Sequence, residues 1–289
     1  MGAPALGDLV DLERFPLTHP DSGAYRATVG AARDALTCDG CAVIRDLMLP
    51  DAVRRLDDEI VSRKHTTHFS TEVINPYFHT SGDPTLPDRH PISTFIERSS
   101  GFIPGDSWEP GCATDVLFRS PHLTAFIAQC LSIPALHCYA DPLAGLTANI
   151  LDPGQQFTWH FDTNEFAVTV LVREADDGGL FEYVPGIRSA DDEGFDAIQA
   201  ILEGGHQDVR TLDLRPGDLQ ILRGRHSLHR VTRVPETSTP RHAAIFAYTL
   251  ETGVIGRVER TKQLFGRVLP DHIAAEEQRV RSDACAATR

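Results

Sequence analysis

Apolar positions along the chain change their period several times. Tyr25–Leu36 and the stretch from Leu49-Pro50-Asp51 to about Val61 have helical spacing, and Pro50 and Asp51 suit a first helical turn. Between them, Gly40-Cys-Ala-Val-Ile44 predicts a strand. Leu117–Leu131 predicts one further helix, with Phe118, Leu123, Phe126, Ile127 and Leu131 on its apolar face. From Leu146 the pattern turns to short runs: Leu146–Leu151, Phe157–Trp159, Phe166–Val172, Leu180–Val184, Leu219–Leu222, Ser227–Val231 and Arg241–Leu250. Asp152-Pro153-Gly154, Asp176-Asp177-Gly178-Gly179 and Pro216-Gly217-Asp218 punctuate them as turns. Short apolar and β-branched runs between such turns predict buried strands. Helices are expected again around Leu264–Val268 and Ala274–Val280, and Ser282–Arg289 should fray.

Two stretches resist this reading. Residues 1–25 hold several prolines and no strong period, which predicts an irregular arm. Residues 65–110 contain Asn75-Pro-Tyr-Phe78, Pro84, Pro87 and His90-Pro91 with little regular periodicity. A long irregular segment in a compact domain is usually functional or disordered. The aromatics favour function, so this segment is expected to cover a substrate.

Composition narrows the classes. A chain of 289 residues that is 41% apolar and 24% charged is an ordinary globular protein. A formal charge of −14 argues against a nucleic-acid partner, which needs clustered Lys and Arg. No apolar run reaches a membrane span, and the N-terminus lacks a basic-then-apolar signal pattern. A soluble, cytoplasmic protein is expected. Cys38-Asp-Gly-Cys41 has CxxC spacing, but no second CxxC or nearby His pair completes a zinc site, so a structural role is expected.

The chemistry concentrates in Trp159-His160-Phe161-Asp162. On a strand, His160 and Asp162 leave the same face. With 13 histidines and 41 acidic residues, chance His-x-Asp pairs occur, so the flanks matter. A second histidine far downstream would complete two imidazoles and one carboxylate, a set that holds non-heme Fe(II) and leaves positions open. His229 and His226 compete for that place; three apart, they would leave opposite faces of a strand.

Together the pieces resemble the Fe(II)- and 2-oxoglutarate-dependent dioxygenase superfamily over roughly Leu143–Leu250, nearest its phytanoyl-hydroxylase-like and small-molecule-tailoring branches. The matching pieces are Asn149-x-x-x-x-Gly154, Trp-His160-Phe-Asp162, Gly178-Gly179 with Val184-Pro185-Gly186, Pro216-Gly217-Asp218, His229-Arg-Val and Pro240-Arg241. The resemblance implies a mainly β chain with flanking helices around a double-stranded β-helix (jelly-roll, cupin-like) core. It favours His160, Asp162 and His229 as metal ligands, with Arg241 on the distal carboxylate of 2-oxoglutarate. No catalytic residue beyond the ligands is implied. Relatives often carry Ser or Thr two residues beyond that arginine. Here the position is Ala243, so Thr169 is a candidate helper, against a plain strand-forming role. Asn149 is either a co-substrate contact or a strand-end amide. Arg188, after Val184-Pro185-Gly186, is either a clamp for a substrate carboxylate or a solvated loop arginine. Asn164 and Glu165 could orient Asp162.

The implied organisation is a single domain: helical support and lid over 1–135, core over 136–252, helical extension over 253–289. The implied cofactors are Fe(II), 2-oxoglutarate and O2, with ascorbate as reductant in assays. The implied partner is a small polar metabolite, with neither nucleic acid nor membrane. Hydroxylation, desaturation and cyclisation need the same ligands. Chlorination is disfavoured, because halogenating members would need a small residue where Asp162 stands. The competing reading is a cupin-type metal-binding jelly roll that is not an oxygenase, in which Arg241 has no co-substrate to hold.

Overall fold

A computed structural model describes residues 2–286. The N-terminal part contains α1 (Gly23–Asp39), β1 (Cys41–Ile44), α2 (Pro50–Arg63), β2 (His68–Ile74), β3 (Ile96–Ile103), α3 (Ala113–Arg119) and α4 (Pro121–Leu131). Short strand β4 (His137–Cys138) leads into β5 (Leu146–Leu151), β6 (Phe157–His160), β7 (Ala167–Arg173) and β8 (Phe181–Val184). Then follow α5 (Phe195–Leu202), β9 (Arg210–Leu212), β10 (Leu219–Leu222), β11 (Leu228–Val231), β12 (Arg241–Phe246) and β13 (Tyr248–Thr249). Helices α6 (Val258–Phe265) and α7 (Pro270–Ala286) close the chain, so the expected frayed end at 282–289 lies partly outside the described residues.

Two antiparallel sheets face each other. The larger runs β1-β10-β7-β12-β5-β3-β2 and the smaller β6-β11-β8-β9, the jelly-roll arrangement the sequence implies. The central strands β5, β7, β10 and β12 of the large sheet are buried on both faces over most of their length, which is why they read as near-continuous apolar runs. In β7, Val168, Val170 and Val172 join the main core beneath the N-terminal helices, with Ala244 and Phe246 of β12 and Leu219 and Ile221 of β10. On the inner face, Leu151, Phe181, Tyr183, Leu222 and Val231 pack between the sheets. Outside the small sheet, Trp159, Phe161, Val184 and Leu228 pack on Ile198 and Ile201 of α5. Full burial of such side chains contributes about 1.5–3 kcal/mol each.

The structure differs from the sequence expectation in several places: α5 had no predicted counterpart, and the helix expected around Leu264–Val268 is α6, which ends at Phe265. Leu117–Leu131 is two helices, because Pro121 has no N–H to donate and pushes Ser120 into extended backbone (φ −62°, ψ 117°). Ser120 then caps the second helix by accepting from the Leu123 N–H. Residues 65–110 also contain regular structure: β2 and β3 pair from His68↔Phe102 to Ile74↔Ile96, extending the large sheet. The pattern hid them because β2 is an edge strand with Phe69 and Val73 exposed, while β3 buries Arg98, Ser99 and Ser100. Only the connection between them is irregular. The N-terminal arm is irregular too, yet Leu9, Val10, Phe15 and Leu17 are buried in the main core.

A polar latch ties the last two helices to the barrel. Asp141 and His272 are both fully buried and meet at 3.1 Å. The Asp141 carboxylate also accepts from the backbone N–H groups of Leu143, Ala144 and Gly256. This holds α6 over the open end of the sandwich, where Phe265 packs on Phe102. No helix among the described residues is long and apolar enough to cross a membrane.

Candidate active site

A bulge builds the site. On β6 and β11, His160 pairs with His229, but the next pair is Phe157 with Val231, so three steps on one strand match two on the other. The extra residue lets Phe157 and His160 both face inward. Trp159 turns outward beneath the Arg230 guanidinium, 4.5 Å from its ring centre. The His160 and His229 rings lie 4.1 Å apart. Each ring directs Nδ1 to the carbonyl two residues earlier, Thr158 at 2.8 Å and Ser227 at 2.9 Å. That fixes both rings with Nε2 toward Asp162, whose Oδ1 lies 3.8 Å from His160 and 3.5 Å from His229.

Asp162 lies just past the end of β6, placed by its N–H on the Gly224 carbonyl at 3.1 Å. Gly224 is required there: a Cβ would fall 1.8 Å from Asp162 Oδ2. That oxygen is buried and has no hydrogen-bond partner. One ligand atom from each of His160, Asp162 and His229 falls within 4.8 Å of the others, the only such cluster among the described residues. Two imidazoles and an orphaned carboxylate oxygen fit a divalent metal. His226 sits instead on the turn before β11 and lines a surface cleft with Cys38 and Gly40. Cys38 and Cys41 are free.

The electrostatics are those of a buried coupled set. Burial, reinforced by His229, pushes His160 well below the usual histidine range. Burial also opposes the charged forms of His229 and Asp162, but each partner outweighs it, raising His229 and lowering Asp162.

Arg241 opens β12 opposite Leu151, on the inner face and at the level of Gly179. It is 6% exposed, and burial pushes it down to about 10. No hydrogen bond or ion pair to its guanidinium is found among the described residues. Ala243 lies opposite Asn149, whose side-chain amide donates to the Gly101 carbonyl at 3.2 Å. Thr169 donates to Gln220 at 3.0 Å. Arg188 stacks on Phe161 with its guanidinium carbon 3.9 Å from the ring centre, donates to the Arg225 carbonyl at 2.6 Å and pairs with Glu193.

A cavity of about 440 Å³ opens beside His160 and Asp162. Aromatic side chains Phe78, Phe102, Phe157 and Phe166 form much of its wall, with Thr163 and Asn164 at the ligand loop. Arg241, Asn149, Thr169 and Arg188 do not line it. Arg260 of α6 does, a residue that no motif in the sequence singles out. Phe78, also missed, has a positive φ of 67°, a strained state for a bulky residue. Asn75 holds that turn by accepting from the N–H groups of Tyr77 and His79. The only available signal was the Asn75-Pro-Tyr-Phe78 cluster itself.

The sequence matches the halogenase D family over residues 109–261, just over half of the 289 residues. No curated protein matches it. Among solved structures, AviO1 from Streptomyces viridochromogenes Tue57 superposes with TM-score 0.52 at 14% identity, covering 78% of this chain and 96% of that one. An oxidoreductase of the 2OG-Fe(II) oxygenase family from Burkholderia pseudomallei gives 0.49 at 12% identity, over 78% and 92% of the two chains. A prolyl-4-hydroxylase from Pseudomonas putida gives 0.45 at 15%, over 75% and 97%. At such identities the likeness is one of fold. The chain has a double-stranded β-helix core and belongs to the halogenase D family.

Proposed function

We propose that the chain is an Fe(II)- and 2-oxoglutarate-dependent oxygenase of a small polar metabolite, with His160, Asp162 and His229 as the metal ligands. The observation that carries this reading is the convergence of three ligand atoms within 4.8 Å beside an aromatic-walled cavity. When bound, the iron supplies oxidation of a substrate C–H bond, coupled to the conversion of 2-oxoglutarate and O2 into succinate and CO2. The chain's residues position and enclose. The Thr158 and Ser227 carbonyls lock the imidazoles with Nε2 inward, in the manner of outer-shell partners at metal sites. Arg241, buried without a counter-charge, holds the distal carboxylate of 2-oxoglutarate through its planar fork. Asn149 and Thr169 share its sheet face and complete the floor. The phenylalanine wall excludes water from the reacting centre.

The family name points to halogenation, and Asp162 argues against it here. Asp162, as a third protein ligand beside His160 and His229, would take up the place that a halide would need. Hydroxylation, desaturation or cyclisation is the outcome this ligand set supports. The test is succinate release from 2-oxoglutarate with Fe(II) and ascorbate, over a panel of amino and hydroxy acids, followed by mass spectrometry. A product heavier by one oxygen means hydroxylation, and one lighter by two hydrogens means desaturation or ring closure. A chloride-dependent chlorinated product would overturn the exclusion of halogenation. No Fe(II)-dependent succinate under any condition would favour a cupin-type, non-oxygenase jelly roll.

A further inference from the structure

We infer that Arg260 is the anion receptor of the substrate cavity, so the substrate presents a carboxylate or similar anionic group to α6. This inference rests on the oxygenase reading above, and it concerns a residue which that reading does not use.

Arg260 lines the cavity that also contains His160 and Asp162. Its guanidinium carbon lies 3.3 Å from the centre of the Phe78 ring, and Nη1 donates to Gln263 at 2.6 Å. It makes no ion pair with any carboxylate among the described residues. By contrast, Arg257 and Arg279 of the same wall share Glu276. Burial pushes Arg260 down to about 9, with Arg98 as a second opposing charge and the more distant Asp162 and Glu72 offsetting part of it. Arg98 is fully buried behind Phe157 and meets Glu72 at 3.3 Å, yet its Nε and Nη1 have no partner. Arg260 is half-buried with no carboxylate beside it, and Arg98 behind the wall keeps two donors unmet; withholding such groups from water is costly, which points to a ligand that repays it.

The positioning is built rather than incidental. Phe78 is held at positive φ, its ring lies 5.2 Å from His160, and its carbonyl accepts from Gln263 Nε2. Thus one strained turn sets both the ring under Arg260 and the contact to its helix.

Charge counting gives the class of ligand. A divalent metal with Arg241, Arg260 and Arg98 supplies five positive charges against Asp162 and Glu72. The 2-oxoglutarate dianion removes two more. The same wall adds Arg257 and Arg279 against Glu276 alone, so the cavity stays positive with metal and co-substrate bound, and an anionic group on the substrate lowers that charge.

The test uses ligand-observed NMR on full-length protein loaded with Zn(II) and 2-oxoglutarate, which cannot turn over, and on unloaded protein. The probes are short amino and hydroxy acids, each paired with its primary amide. Wild type is expected to bind acids at least about tenfold more tightly than their amides. Arg260→Gln should abolish that preference, and Arg260→Lys should keep part of it. No preference in wild type, or a preference that survives Arg260→Gln, overturns the inference. So does a loss of 2-oxoglutarate affinity in Arg260→Gln with Arg241→Met silent, which would make Arg260 the co-substrate residue. If Arg260→Gln loses Zn(II) binding through misfolding, Arg260→Lys carries the test, and a fully retained preference in it overturns the inference. Failure of Zn(II)-dependent 2-oxoglutarate binding in wild type would sink the oxygenase reading alone, since the unloaded arm still reads the anion subsite.

Discussion

Arg241, buried on the inner sheet face, and Arg260, half-buried in the cavity wall, both lack a carboxylate partner among the described residues, and the chain supports them very differently. Arg241 stands on a strand laddered to neighbours on both sides, β5 and β7. Arg260 stands on a short helix that reaches the barrel through Phe265, the Gln263–Phe78 contact and the Asp141–His272 latch. The floor is therefore fixed by main-chain hydrogen bonds, while the roof is fixed by side chains. A fixed floor suits a co-substrate of constant shape. A roof hung on a few side chains can be altered without disturbing the metal, which suits the reading of a particular substrate.

The sharpest way to break this division is at the ligands. His160→Ala and His229→Ala should each abolish metal binding, whereas His226→Ala leaves it largely intact, as read by Fe(II) or Zn(II) titration. Metal loss in His226→Ala with retention in His229→Ala would reverse the ligand assignment. The same titration has a predictable pH dependence. His229 is raised by Asp162, so its proton competes with the metal, and apparent affinity should fall as pH drops through that raised value. Affinity that rises on acidification would contradict it.

Gly224→Ala comes next. Its Cβ would collide with Asp162 Oδ2, so metal affinity should drop sharply while the fold survives, checked by circular dichroism beside the metal titration. Unchanged affinity would mean Asp162 does not sit as described. At the floor, Arg241→Met should weaken 2-oxoglutarate by about tenfold or more, because a charge-assisted contact of roughly 1.5–3 kcal/mol is lost. Fe(II) affinity should hardly move. The smallest effect belongs to the roof: His272→Ala leaves an Asp141 oxygen short of a partner and should cost about 1–3 kcal/mol. Limited proteolysis should then show faster cleavage around α6 and α7, with metal binding retained. Equal cleavage rates would mean the latch does not hold the roof.

What the sequence disclosed follows the same division. The strands of the core were legible because both their faces are buried, and the ligand triad because His160, Asp162 and His229 carry the site's chemistry in a recognisable frame. The β6 bulge was not, since a one-residue slip leaves no mark on an apolar run. Neither was the β2–β3 hairpin, whose edge strand exposes Phe69 and Val73 while β3 buries Arg98. Arg260 lies far from the motifs in sequence and looks like any helix arginine; only its place against Phe78, and the absence of a carboxylate beside it, single it out. Arg188 shows the converse, a motif-adjacent arginine engaged with Phe161, Arg225 and Glu193.

The most direct test of the central claim is an anaerobic titration of 2-oxoglutarate into the Fe(II)-loaded protein, followed by the visible charge-transfer absorption of an Fe(II)–2-oxo acid chelate. The absorption should appear in wild type, saturate, and be missing in His160→Ala. Tight Fe(II) binding with no such absorption at saturating 2-oxoglutarate would contradict the account.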